Sequence, residues 1–450
     1  MPEGEGLMLR KVFDRAQISG AAVEIAKASF PSPFASGLEY SAPARGTWNI
    51  VHTGMLLPGA HQVFVCAQGC LRGVVLTAAE MGAAERFSTV AIREHDVLDG
   101  DMEDLIVEGV SDILGKLPEL PPAVLVYTSC IHHFMGCDLD LAYRRLRERF
   151  PGVDFTDCYM NPIMRKSGLN PDQLMRRQLY SLLRPRPLEE KKVALIGGDL
   201  PLSDSCELAR LVRESGRELL DINYCRTYEE YQEMAAAGTI VTCQPAAIAA
   251  GEALAKRLGP RHLYLPQCFD YGQIERDMAK LAEALGAAAP DLTEAKAAAE
   301  AALDAAKAEI GDMPVIIDYT LHPRPLGLAR LLLSHGFKVE TVYADSFTGE
   351  EEADFRWLQE HHPRLQLCAT VHHEMRVLER KEEQALALGQ KAAYFSGSDH
   401  FVNVVEGGGL YGFDGVVRLA ALMREAAKEK KDARALIQIK GLGCGGGCCG

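Results

Sequence analysis

Short runs of β-branched and aliphatic residues recur along this chain, and a helical pattern follows most of them. In the first third the runs are 62–65, 88–92, 123–127 and 153–155, with helical patterns at 71–81, 102–117 and 139–150. Runs at 193–197, 218–222, 239–242 and 262–266 repeat the theme, with helices at 203–215, 228–237, 246–258 and 271–285. Runs at 315–319, 338–342, 365–371 and 392–396 repeat it again, with a helix at 326–335 and another from 416 to about 430. Neighbouring parallel strands need a connection long enough to hold a helix, so this alternation predicts an α/β fold with parallel sheets. At 450 residues the chain is about three times the usual domain length. The expectation is three Rossmann-like, doubly wound domains at 46–187, 188–310 and 311–430, after an arm at 1–45 and before a Cys/Gly-rich tail at 431–450. The R-P-R-P at 184–187 and the alanine-rich helix at 291–310 supply the linkers, since proline can neither continue a helix nor centre a sheet. The pattern also predicts a helix at 18–29, a strand at 48–51 and an acidic loop at 94–101.

A formal net charge of −14 argues against nucleic acid and anionic membrane surfaces as partners. No apolar run approaches the ~20 residues of a membrane span. The first residues, M-P-E-G-E-G, lack the basic and apolar regions of a signal peptide, so a cytoplasmic protein is expected. There, thirteen cysteines read as thiols and metal ligands rather than disulfides. No G-x-G-x-x-G follows a strand, and I-G-G-D at 196–199 lacks the third glycine, so a dinucleotide site is not expected.

Residues 128–138, T-S-C-I-H-H-F-M-G-C-D, follow an apolar run and place Cys130 and Cys137 at or just past the carboxyl end of a strand. Open α/β sheets bind ligands at that end. Upstream, C-A-Q-G-C supplies Cys66 and Cys70 on the loop after another strand, and Cys158 follows the run at 153–155. Soft thiolates in such number suggest iron–sulfur ligation. Cys70 and Cys130 are the first two candidate ligands, and Cys66 and Cys137 compete for the third. Cys158 reads as structural, packing as a small hydrophobe. His132 and His133 lie in the same loop, suited to hydrogen bonding a cluster sulfide or relaying protons. His322, His372 and His373 follow other strands, and reductive chemistry needs a proton donor in its cleft. The glycine-rich loop at 407–415 includes Gly408, Gly409 and Tyr411, and its backbone is suited to approaching a bound cofactor.

Taken in order, these segments resemble the catalytic-component subunits of nitrogenase and nitrogenase-like enzymes. V-C-A-Q-G-C at 65–70 is similar to the family's H-G-P-x-G-C, and E-H-D-V-L-D-G at 94–100 to its E-x-D-V-x-x-G-G. Residues 129–138 resemble S-C-x-x-x-x-I-G-D-D, and 154–160 resemble P-V-x-C-x-G-F. Residues 239–243 resemble the strand that ends in a cofactor-iron cysteine, and 408–415 resemble G-x-Y-H-G-Y-D-G. Two positions depart from the family. Thr47 stands where its earliest interface cysteine falls, and Tyr411 replaces its cofactor histidine.

The resemblance implies a nitrogenase component 1-like fold and subunits working in pairs, as a homodimer or with a homologous partner. It implies that Cys70 and Cys130 hold an interface cluster, [4Fe–4S] or larger, whose fourth ligand comes from the partner subunit. It leaves room for a second, complex iron–sulfur cofactor touching Cys243. An ATP-dependent iron–sulfur reductase would donate electrons, in keeping with the missing P-loop here. The expected activity is that of a nitrogenase-like reductase acting on a substrate or cofactor in the interdomain cleft, with Cys243, His132 and His133 in the chemistry. The alternative is a scaffold on which an iron–sulfur cofactor is assembled and passed on, which the cysteines at 444, 448 and 449 and the absent histidine suit. A redox-inert regulator of a partner is a third reading.

Overall fold

The computed structural model describes residues 20–44, 49–160, 168–378 and 384–432. Thr47 and the cysteine tail lie outside them. After β1 (Ala22–Glu24) comes a first sheet of β2 (His61–Ala67), β3 (Phe87–Ile92), β4 (Ala123–Ser129) and β5 (Asp154–Met160). These strands are all parallel, in the order β3-β2-β4-β5. With them go α1 (Ile50–Met55), α2 (Gln68–Glu80), α3 (Glu94–Asp99), α4 (Met102–Lys116), α5 (Cys130–Phe134), α6 (Leu139–Arg149) and α7 (Pro171–Leu179). A second parallel sheet holds β6 (Glu189–Leu195), β7 (Glu218–Asp221), β8 (Ala237–Thr242) and β9 (Arg261–Tyr264), in the order β7-β6-β8-β9. Its helices are α8 (Glu207–Glu214), α9 (Tyr228–Glu233), α10 (Ile248–Leu258) and α11 (Tyr271–Ala284).

The long α12 (Thr293–Ile310) leads to a third sheet of β10 (Val315–Asp318), β11 (Val339–Tyr343), β12 (Gln366–Cys368), β13 (Leu386–Leu388) and β14 (Phe401–Val402). Its helices are α13 (Pro325–Ser334), α14 (Glu352–His361), α15 (Gln390–Ser396) and α16 (Gly412–Lys428). The order is β1-β12-β11-β10-β13-β14, and only β1 runs antiparallel. No described helix is long and apolar enough to cross a membrane.

Apart from the antiparallel edge strand β1, each sheet starts in its middle, runs to one side and returns past its first strand to the other. The order therefore reverses between β2 and β4, between β6 and β8, and between β10 and β13. A crevice opens at the carboxyl ends of such a pair, because the two following connections depart to opposite faces.

Both faces of the strands are buried, so their side chains alternate between two cores. In the first sheet Val63, Val65, Val124 and Val126 pack with Ile106, Val110 and Leu146 of α4 and α6. Phe64, Cys66, Leu125 and Tyr127 face the other way, into a core shared with the second sheet. The Phe64 and Tyr127 rings stack there at 4.0 Å, worth about 0.5–1.5 kcal/mol beyond their burial. In β6 and just after it, Ala194 and Ile196 point into that shared core, while Val193 and Leu195 join the core of the third sheet. One strand's two-residue period thus ties all three layers together.

Four local expectations change. Residues 48–51 were expected to be a strand, but Ile50 starts α1, whose amino end Asn49 caps by accepting from Val51 N–H at 2.9 Å. The acidic segment at 94–101 contains α3, because Asp96 accepts the Arg93 N–H at 2.7 Å. Residues 392–396 are in α15 rather than a strand, since the buried Asp318 accepts the Ala392 N–H and secures the helix start. A short apolar run alone does not separate helix from strand. From 18–29 a helix was expected, yet 22–24 pair with β12 and only 25–27 form a 3-10 turn. The hydrogen bonds of a long-range edge pairing outweigh local helix preference there.

Candidate functional site

The crevice between β2 and β4 collects three cysteines. Cys66 is within β2 itself, fully buried, rather than on the loop after it. Cys70 stands exposed in the first turn of α2, and Cys130 opens α5, half-buried. Val65 pairs with Thr128, so the next step in register sets Cys66 opposite Ser129, adjacent to Cys130. Burial pushes the Cys66 thiol up to about 12, and the nearby Cys70 and Cys130 sulfurs add to the rise. Thiols this close resist ionising together unless a cation lies among them.

Cys137 lies apart from this trio. Its thiol is also pushed up to about 12, by burial and then by Glu103 and Asp138. With His132 and His133 it lines a cavity of about 410 Å³, together with Thr128, Tyr159 and Arg177. His132 is only 1% exposed. Its Nδ1 accepts the Ser129 N–H at 3.1 Å, which leaves the ring proton on Nε2, and Nε2 has no partner among the described residues. Burial lowers its pKa, so the imidazole stays neutral and offers an N–H donor. Cys158 is buried inside β5, beside Tyr127.

Cys243 follows β8 at the reversal point of the second sheet. The structure sets it near Cys206 and Tyr411, and Tyr411 also stands near Cys268; the sequence carried no signal for Cys206 or Cys268. Burial pushes both Cys206 and Cys268 up to about 12, and raises Cys243 and Tyr411 well above their usual values. No spacing signal links these residues, since they come from four separate connections. The space beside Cys243 measures only about 20 Å³, about enough for one water.

The glycine-rich loop contributes to that closeness. A Cβ on Gly409 would stand 2.2 Å from Pro201 O, and one on Gly407 would stand 2.6 Å from Gln267 Oε1. Gly408, also at positive φ, packs against Val404. The loop backbone approaches neighbouring protein here, and Tyr411 is buried behind it.

A groove of about 580 Å³ lies at the amino ends of β11 and β12 among Val339, His361 and Gln366. It is at the opposite edge from the carboxyl ends where α/β sheets gather chemistry.

A sequence model of the family described as nitrogenase component 1 type oxidoreductase matches residues 51–427. Among solved structures, nitrogenase Cp1 at pH 6.5 has a TM-score of 0.64 and 13% identity, covering 88% of this chain and 94% of that one. Nitrogenase Cp1 at pH 5 has a TM-score of 0.57 and 14% identity, covering 91% and 94%. At such identity the likeness concerns the fold. No curated protein sequence matches the chain.

Proposed function

The chain belongs to the nitrogenase component 1 type oxidoreductase family, and from that premise we propose that it is a reductase subunit receiving electrons through an iron–sulfur cluster. Cys66, Cys70 and Cys130 hold the cluster, at the reversal point of the first sheet. The observation that carries this reading is the convergence of three thiols from β2, α2 and α5 on one crevice, two of them open to solvent. The donor set fits: soft sulfurs, with Cys70 and Cys130 close enough to raise the proton affinity of Cys66, are what iron–sulfur clusters replace protons on. Such a cluster supplies one-electron transfer when bound.

The chain's own residues then have distinct tasks. A fourth ligand comes from a paired subunit, either a second copy or a homologue. Exposed Cys70, with Phe134 68% exposed beside the cluster loop, marks the pairing face. An ATP-dependent iron–sulfur reductase supplies the electrons. The acceptor occupies the cavity lined by His132, His133 and Arg177, where His133 or solvent supplies the proton. Nothing is routed through a second cofactor at Cys243, because the space there and the packed glycine loop do not fit one.

A scaffold reading has one specific support: the buried phenol of Tyr411 stands where the family resemblance places a cofactor-binding histidine. The two readings separate by retention. A reductase keeps its iron through turnover, whereas a scaffold loses it to an apo acceptor protein.

The test is anaerobic purification with iron and sulfide analysis, and EPR of the dithionite-reduced protein, for wild type and Cys130→Ala. About four irons per chain or per dimer, with the signal lost in the variant, is the expected result. Iron-free wild-type protein, or an unchanged signal in Cys130→Ala, would overturn the assignment.

A further inference from the structure

Outside the thiol crevice, His372, His373 and Glu374 bring one ligand atom each to within 4.8 Å of one another. They are the only such group of three among the described residues. The geometry points to a second metal site here, for one first-row divalent transition ion held by two imidazoles and a carboxylate. It lies at the carboxyl end of β12, on a different sheet from the three thiols, and does not depend on the redox reading.

The backbone around these residues is held from three sides. Asp345 accepts the N–H groups of Thr370 at 2.7 Å and Val371 at 2.9 Å. Tyr40 N–H donates to Val371 O at 2.6 Å, and Glu39 bridges antiparallel to His372. Glu374 Oε2 accepts the Gly20 N–H at 2.8 Å, which orients the carboxylate. A side chain on Gly20 would press within 3.2 Å of both Glu374 Oε2 and His372 Cε1. The glycine therefore leaves this pair its room.

His372 Nδ1 carries a lone pair, since it accepts the Glu374 N–H at 3.4 Å, a long contact that a metal can displace. It stands 3.9 Å from Glu374 Oε2. Ligands around a tetrahedral ion bonded at 2.0–2.1 Å are roughly 3.3 Å apart. The pair thus needs to close by less than about an ångström, within reach of side-chain rotation alone. His373, exposed and with its ring 4.4 Å from that of His372, swings in as the third ligand. Solvent completes the shell.

Two nitrogen donors and one oxygen favour zinc, cobalt, nickel or ferrous iron over magnesium or calcium, which prefer all-oxygen sites. Because Glu374 also grips Gly20, a bound ion fastens the segment from residue 20 to the third sheet.

Cobalt(II) titration of the full-length protein, stripped with chelator under anaerobic conditions, tests the site. Cobalt bound by cysteine shows an intense sulfur-to-metal charge-transfer band; cobalt bound here shows only weak d–d bands. The expected result is one equivalent of the second kind, bound at least about tenfold more weakly in His373→Ala and in Glu374→Gln. His373 is exposed and Gln retains an acceptor for Gly20, so both variants keep the fold. Wild-type protein that takes up only sulfur-bound cobalt, or variants that titrate like wild type, would overturn the proposal.

Discussion

His322 shows how a single side chain ties stability to pH. It is buried against Phe269 at 4.5 Å, and its Nδ1 accepts the Arg324 N–H at 3.1 Å. Burial, with the Arg324 charge behind it, depresses its pKa from 6.5 to about 3. In the unfolded chain the same ring takes a proton near 6.5, so the unfolded state binds protons first as pH falls. The stabilising contribution is complete above 6.5 and drains away as the pH falls towards 3. Between pH 7 and pH 5 this one group should cost about 2 kcal/mol of folding stability. His322→Asn keeps an acceptor for Arg324 N–H and does not titrate, so its denaturation midpoints should fall less steeply over that interval. Equal slopes for variant and wild type would show that other groups carry the acid sensitivity. The sequence presented His322 only as a histidine after a strand. Its burial comes from Phe269, more than fifty residues earlier.

The loop leading into α16 makes the corresponding point for an element. Gly407, Gly408, Gly409 and Gly412 all have positive φ, where other residues are strained. At Gly409 sterics add to conformation, because the would-be Cβ meets the backbone oxygen of Pro201. Gly409→Ala should destabilise the metal-free protein by about 2 kcal/mol or more in urea titrations. Gly73→Ala is the control, since a Cβ at this half-buried position in α2 meets nothing within 4 Å among the described residues. It should be neutral or stabilising by up to ~1 kcal/mol. If Gly409→Ala is as harmless as the control, the glycines serve a ligand rather than packing. Sequence showed a loop that needs glycine. Which backbone it approaches was set by the long-range contact between residues 201–203 and 409, where Ser203 N–H reaches Gly409 O at 3.4 Å.

For the whole molecule, the decisive tie is the ion pair of Arg176 and Asp199. Arg176 on α7 and Asp199 after β6 are 2% and 0% exposed, and the guanidinium grips both carboxylate oxygens. Thr53 Oγ1 also donates to Asp199 at 3.1 Å, and Asp172 stands 3.2 Å from the guanidinium. Burial works against the charge on Arg176, but the Asp199 and Asp172 carboxylates more than offset it and hold its pKa above the usual arginine value. Removing one partner strands the other charge in a dry interior. Arg176→Met should therefore cost about 3–5 kcal/mol, and Arg176→Met with Asp199→Asn should recover part of it. Fluorescence-monitored urea unfolding would measure both, and a double variant no better than the single one would rule out the stranded charge as the cause.

The sequence by itself determined the alternation of strands and helices, hence parallel sheets, and placed Cys70 and Cys130 beside strand ends. It did so because both signals are local: periodicity and β-branching report burial, and a thiol just after such a run sits at the carboxyl edge. Tertiary structure alone decided that β1 pairs with β12, that residues 392–396 wind into α15, and that Cys66 turns from within β2 towards Cys70 and Cys130 while Cys137 turns to Glu103. It also gathered Cys206, Cys243, Cys268 and Tyr411 into one buried cluster. Such outcomes rest on hydrogen bonds and contacts between residues far apart in the chain, whose energies exceed the small local preferences a sequence displays.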